Sequence, residues 1–139
     1  MNLRDVIPTA ENSSNFNVVP ESITEVGTTL ENLKAAVCGE TGASAKYAAC
    51  AAAAKEQGFD QIARLFEATS AAEQIHIGLE AGVIAEIEPG YERPAAPEAE
   101  GIATDLNLIA GALGEIYETS DMYPSFIKVA QEEGNKKAE

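Results

Sequence analysis

Residues 29–40 read TLENLKAAVCGE and residues 104–115 read TDLNLIAGALGE. At an offset of 75 the two stretches share Thr, Asn-Leu, Ala and Gly-Glu in register. Each then runs on to a glycine, in KEQG at Gly58 and in QEEG at Gly134, where the offset has become 76. An internal repeat of this length points to one helical unit used twice. The second copy carries one residue more than the first, and it carries Pro124 inside MYPSF. Proline removes a backbone hydrogen bond from a helix, and an inserted residue is absorbed by a wider turn, so a π-bulge is expected there.

The remaining elements follow outward from the repeat. Residues 1–20 hold Asn, Ser and Pro without a period and read as an N-terminal arm. Pro20 and Glu21 suit a helix start and Gly58 its stop, which gives a first helix over about 21–57. A second helix is expected over 60–85 and a third over 104–133. Between them the stretch EIEPGYERPAAPEAEGI, residues 86–102, holds three of the six prolines and reads as a crossover loop, 86–103. The last five residues, NKKAE, look like the opening of another helix. The chain of 139 residues is long enough for one domain, 21–139, with a helical core. No Trp, four Phe and many Ala favour helices over a sandwich, and 45% hydrophobic residues argue against disorder.

Charge and cysteines exclude several functions. Nine basic against 23 acidic residues give a formal charge of −14, which repels nucleic acid and anionic membranes. No apolar run reaches membrane-spanning length, and the N-terminus lacks the apolar stretch of a signal peptide, which leaves the cytoplasm as the default. Cys38 and Cys50 are too few for a disulfide scaffold and read as small buried hydrophobes.

The helical register places carboxylates where a core should be. A seam in helix 1 runs through Ile23, Val26, Leu30, Leu33, Val37, Glu40, Ser44, Tyr47, Ala51 and Ala54. Helix 2 follows with Ile62, Phe66, Thr69, Glu73, His76, Glu80 and Val83, and helix 3 with Leu108, Gly111, Glu115, Glu118, Met122, Ser125 and Val129. None of these stripes holds a basic residue, and burying unpaired carboxylates is costly, so a bound cation resolves the conflict. Glu73-x-x-His76 puts a carboxylate and an imidazole on one helix face, a donor set that suits iron or manganese better than calcium. Ferritin-like carboxylate bundles bind metal with one Glu from each of two helices and Glu-x-x-His from the other two. Glu40 and Glu115 fit the first role, and Glu73 with His76 half of the second. On the residues alone, an isolated Glu-x-x-His is usually chance, and Tyr47 and Tyr123 read equally as core aromatics or as donors to ligand carboxylates.

GETGASAKY, SAAEQIH, GEIYETSDMYPSF and QEEGN together resemble the rubrerythrins, ferritin-like non-heme diiron proteins, over nearly the whole chain. The resemblance implies an all-α, ferritin-like four-helix bundle with a long crossover loop, of which helices 1–3 are present. It implies two iron ions, with manganese or zinc as substitutes, and reduction of hydrogen peroxide to water with electrons from a rubredoxin-like donor, in oxidative stress defence. Carried over residue by residue, Glu40 and Glu115 resemble the terminal carboxylates of the two irons, and Glu73 resembles a bridging carboxylate. His76 resembles the histidine that ligates in the reduced state, and Glu118 the carboxylate that replaces it on oxidation, which makes both candidates for catalysis. Tyr47 and Tyr123 resemble tyrosines that bond ligand carboxylates.

Two departures from the family stand out. No Cys-x-x-Cys pair marks a rubredoxin-like domain. The fourth helix, with its second Glu-x-x-His, is also missing: Glu73 follows Gly58 by 15 residues, and the same step from Gly134 runs past Glu139. The chain therefore reads as a fragment, or as one partner of a homodimer in which helices are exchanged through the 86–102 hinge. Two other functions fit the residues: ferritin-like oxidation and binding of iron, and a metal-free helical interaction module.

Overall fold

The computed structural model describes residues 22–139, and every regular element among them is helical. α1 spans Thr29–Glu56, α2 Asp60–Ile87 and α3 Thr104–Tyr117; a π-turn over Glu118–Met122 leads into α4, Tyr123–Glu132. These residues fall into two compact units. One unit is Leu33–Asn107, and the other joins Leu108–Glu139 to the described part of Met1–Asn32.

The arm of residues 1–20, and the helix start at Pro20 and Glu21, lie outside the described residues. From residue 22 the chain is not helical until Thr29, so the first helix starts later than expected. Thr28 and Glu31 explain the shift. Glu31 N–H donates to Thr28 Oγ1 (3.3 Å), and Thr28 N–H donates to Glu31 Oε2 (2.8 Å). This reciprocal capping box satisfies the free donors of a first turn. Ile23 and Val26, placed in the seam by sequence, lie outside the helix and are exposed.

Within Leu33–Asn107, α1 and α2 run antiparallel. The turn between them is a Schellman motif: Gly58 takes a φ of +84°, Gly58 N–H donates to the Lys55 carbonyl (3.1 Å), and Phe59 N–H to that of Ala54 (2.8 Å). Tyr47 stacks on Phe66 with ring centroids 5.9 Å apart. One helical turn along, Ser44 Oγ donates to the Ser70 carbonyl (3.0 Å) and Ser70 Oγ to the Ser44 carbonyl (2.8 Å). Two small residues let the backbones approach here. The buried stripe of α2 is Ala63, Phe66, Glu73, Ile77, Ala81 and Ile84. The expected seam is therefore rotated: His76 lies at the edge of the stripe with half its side chain exposed, and Ile77 and Ile84 take the interior.

The loop ahead of α3 is strapped along α1. Lys46 Nζ donates to the Glu100 carbonyl (2.5 Å), and Gln57 Nε2 donates to that of Ile102 (2.9 Å). Between these anchors Gly101 lies so close that an added Cβ would sit 2.5 Å from the Ala49 carbonyl oxygen and 2.6 Å from Ala53 Cβ. At the far end of the hairpin Lys34 pairs with Glu88 (2.5 Å) and lies over the Tyr91 ring. Cys50 is buried, and burial pushes its thiol up against the opposing pull of Lys46. Cys38 is exposed, contrary to its reading as a buried hydrophobe, because it lies on the side of α1 away from the Ala36, Val37 and Glu40 stripe.

The repeat is visible in hydrogen bonds. Asn107 accepts from Ile102 N–H (3.2 Å) and donates to the Ile102 carbonyl (3.0 Å); Asn32 does the same with Gly27 (2.8 and 3.3 Å). At the end of the second copy Gly134, with φ +71°, closes the same Schellman motif through the carbonyls of Gln131 and Ala130. The extra residue falls between Glu115 and Tyr123, where the π-turn winds it, as the broken register predicts. Pro124 stands at the start of α4, directly after the π-turn. Asn135 Oδ1 accepts from the amides of Lys137 and Ala138 (both 3.3 Å), so NKKAE forms a capped turn.

Candidate metal centre

Glu40 lies mid-way along α1, two turns beyond Leu33, on the stripe that faces α2. The antiparallel pairing that stacks Tyr47 on Phe66 and links Ser44 to Ser70 brings Glu73 and His76 opposite it one turn further on. Glu40 is 1% exposed and Glu73 2%. One donor atom each from Glu40, Glu73 and His76 lie within 4.8 Å of one another. His76 Nδ1 is 2.8 Å from Glu73 Oε2 and 3.6 Å from Glu40 Oε1. The imidazole is about half exposed, with 52% of its side chain accessible, so two fixed carboxylates meet one ring that has room to turn. Gln74 Nε2 donates to Ser44 Oγ (2.8 Å), which ties the α2 turn bearing these ligands to α1.

This donor set fits a metal. Two carboxylates and one imidazole combine hard oxygen with borderline nitrogen, the chemistry of iron and manganese, whereas calcium sites use oxygen alone. Spacing i, i+3 on α2 gives Glu73 and His76 a common face, and helix packing supplies Glu40.

Glu115 and Glu118 lie in the other unit, both half-buried, Glu115 near the end of α3 and Glu118 opening the π-turn. Tyr47 is buried against Phe66, and Tyr123 meets Phe126 edge-on with centroids 6.5 Å apart. Glu80, in the expected seam, is half-buried.

Sequence reading missed Asp121. It is 6% exposed, in the π-turn, one residue before Met122 of the expected seam. Ile23 N–H (3.0 Å), Thr24 Oγ1 (2.9 Å), Ser125 Oγ (3.5 Å) and Ser22 Oγ all donate to its carboxylate. Burial alone would push this carboxyl up, but the hydrogen bonds outweigh it and hold it below its ordinary value of 3.8. The inserted residue was the available signal, because everything after the insertion turns by about 100° and brings Asp121 rather than Met122 inward.

No helix of the described residues is long and apolar enough to cross a membrane. Residues 31–139 match the rubrerythrin family model. The chain is 65% identical over 138 residues to nigerythrin of Nitratidesulfovibrio vulgaris, covering 99% of this chain and 68% of that protein. It is 37% identical over 108 residues to rubrerythrin of the same organism, covering 76% of this chain and 55% of the relative. A solved structure of nigerythrin in its fully reduced, all-ferrous state superimposes with a TM-score of 0.88 at 67% identity, over 95% of this chain and 65% of that one. The chain thus spans about two thirds of the nigerythrin length and little more than half of the rubrerythrin. It shares with these proteins the all-α, ferritin-like fold expected from its sequence, and it belongs to the rubrerythrin family.

Proposed function

We propose that the whole protein to which these residues belong is a non-heme diiron peroxidase that reduces hydrogen peroxide to water with electrons from a rubredoxin-like donor. The observation that carries this reading is the convergence of Glu40, Glu73 and His76 at the centre of the α1–α2 hairpin. Glu40 and Glu73, buried and locked by the hairpin, hold fixed oxygen donors. His76, half exposed, adds a nitrogen donor that meets Glu73 Oε2 at 2.8 Å. Glu115 and Glu118 are the carboxylates for a second ion, and the spacing that puts both on one helical face lets either present an oxygen to the same point. Tyr47 and Tyr123 bond ligand carboxylates and so fix their orientation. Held by these groups, iron would supply the redox chemistry, passing electrons from the donor to peroxide. The remaining ligands come from further chain of the kind the longer relatives carry, or from a second copy in a homodimer.

Replacing Glu73 by Ala in the full gene product tests the reading. A bridging ligand serves both ions, so iron per chain after anaerobic loading should fall by more than half. Unchanged iron content would show the site to be misassigned. Stopped-flow reoxidation of the ferrous protein separates the activities. Peroxide should react faster than dioxygen, and the reverse order would favour ferritin-like iron oxidation.

A further inference from the structure

We propose that Asp121 is a positioning residue, which clamps the π-turn Glu118–Met122 to the segment Ser22–Thr24 and thereby sets the orientation of Glu118. The proposal rests on the reading of Glu118 as an iron ligand. A π-turn is rare inside an α-helix, and it marks a place where surrounding contacts hold an inserted residue. Here those contacts are concentrated on one side chain. The Asp121 carboxylate accepts four hydrogen bonds, from Ser22 Oγ, Ile23 N–H, Thr24 Oγ1 and Ser125 Oγ. Three of these come from a stretch about a hundred residues away in sequence, which lies across the turn. Thr24 Oγ1 also meets Tyr117 OH (3.0 Å), the residue just before Glu118. The clamp therefore grips the π-turn on both sides of Glu118.

A carboxylate that accepts charge-assisted bonds from two hydroxyls and an amide of one segment fixes direction as well as distance. If the turn relaxed to regular helix, Glu118 and Asp121 would no longer keep their relative rotation, and one of the two would leave its place. The inserted residue and the clamp thus act together. The insertion creates two possible directions for Glu118, and Asp121 selects one.

Four variants of the full gene product test this: Asp121→Asn, the pair Ser22→Ala with Thr24→Val, Glu118→Ala, and Asp121→Asn combined with Glu118→Ala. The first two attack the clamp from opposite sides, and neither leaves a cavity that threatens folding. Two measurements are read. In the metal-free protein, amide exchange over Glu118–Met122 should quicken roughly tenfold in both clamp variants while exchange over α2 stays unchanged. In the protein loaded anaerobically with Fe(II), near-infrared circular dichroism should shift in Glu118→Ala, shift in the same direction in both clamp variants, and shift no further in the combined variant than in Glu118→Ala. If Glu118→Ala moves the spectrum and the clamp variants do not, the proposal is overturned and the ligand reading stands. If Glu118→Ala leaves the spectrum unchanged, the ligand reading falls and takes the proposal with it. Unchanged exchange over the π-turn in both clamp variants overturns the clamp itself.

Discussion

The two copies of the repeat begin and end alike and differ in the middle. At both starts an asparagine closes a ring onto the residue five positions earlier, Asn32 onto Gly27 and Asn107 onto Ile102. At both ends a left-handed glycine closes a Schellman motif, Gly58 after α1 and Gly134 after α4. The starts even borrow the same register at the far ends, since Thr104 N–H donates to Gln57 Oε1 (2.9 Å) and Thr29 N–H to Glu133 Oε2 (3.1 Å). Between these fixed points the first copy is unbroken α-helix and the second winds an extra residue into a π-turn. Helix ends have unpaired backbone groups that must be met, so both copies solve them the same way. Helix middles have no such demand, and the difference sits where the candidate ligands are.

Removing the difference should have the largest effect. Deleting Thr119, an exposed residue of the π-turn, restores the first copy's length and turns Asp121 by about 100° away from Ser22, Ile23 and Thr24. A buried carboxylate separated from its donors should cost about 3 kcal/mol, measured by urea denaturation. A loss under about 1 kcal/mol would show that the turn is not held by Asp121. The same carboxylate makes a pH prediction. Its folded value lies below the ordinary 3.8, so its contribution is complete above that value and is lost as pH falls through the lower, folded one. Stability should therefore drop more steeply below pH 3.8 in the natural protein than in Asp121→Asn.

The approach to each copy is the next contrast. Gly101 is pressed on α1, where a Cβ would meet backbone at 2.5 Å. Gly27, ahead of the first copy, would put its Cβ 2.5 Å from Glu31 Oε2, the end of a flexible side chain. Gly101→Ala should cost about 2 kcal/mol, because the strap must lift from α1. Gly27→Ala should cost below about 1 kcal/mol, since Glu31 can turn aside at the expense of part of its capping box. The second copy carries Ile102 at the position matching Gly27, which shows that the register tolerates a side chain. Equal losses in thermal or urea unfolding would mean that the strap is not fitted to α1.

Much of this was legible in sequence, for reasons that differ by residue. The repeat located α1 and α3, Gly58 and Gly134 located two helix ends, and the broken register located the π-turn. Glu40, Glu73 and His76 came from spacing, and helix packing assembles them. The start of α1 was misplaced although its signal was present: Thr28-x-x-Glu31 is a capping box, and Pro20 drew the boundary toward itself. The seam of α2 was rotated because hydrophobic spacing alone does not say which of two adjacent stripes faces a single partner helix. Ile62, His76 and Val83 lie on one stripe and Ile77 and Ile84 on its neighbour. Asp121 was missed because three of its four donors lie about a hundred residues upstream, and only the inserted residue, not the residue types of ETSDM, turns the aspartate inward.

The finest contrast is a single hydroxyl. Thr104 and Thr29 occupy the same place, the first residue of α3 and of α1, and both are buried, at 3% and 4% exposure. Thr104 Oγ1 donates to Gln57 Oε1 (2.9 Å), whereas Thr29 Oγ1 has no hydrogen-bond partner among the described residues. The reason lies in the residue at the far end. Gln57 offers an acceptor to Thr104 and, through Nε2, a donor to the Ile102 carbonyl, so its amide is held between two groups and its oxygen is directed at the threonine. Glu133 has no donor with which to hold itself in that way, and among the described residues it accepts from the Thr29 amide. Valine keeps the branched shape of threonine and removes only the hydroxyl. Thr104→Val should therefore cost about 1 kcal/mol, the net worth of one hydrogen bond to a neutral partner. Thr29→Val should cost nothing, or stabilise by up to about 1 kcal/mol, because it removes a buried hydroxyl that has already lost its water. Urea unfolding of the two variants side by side makes the measurement. Losses of equal size would show that the copies bind their first threonines in the same way, and that Gln57 and Glu133 are interchangeable there.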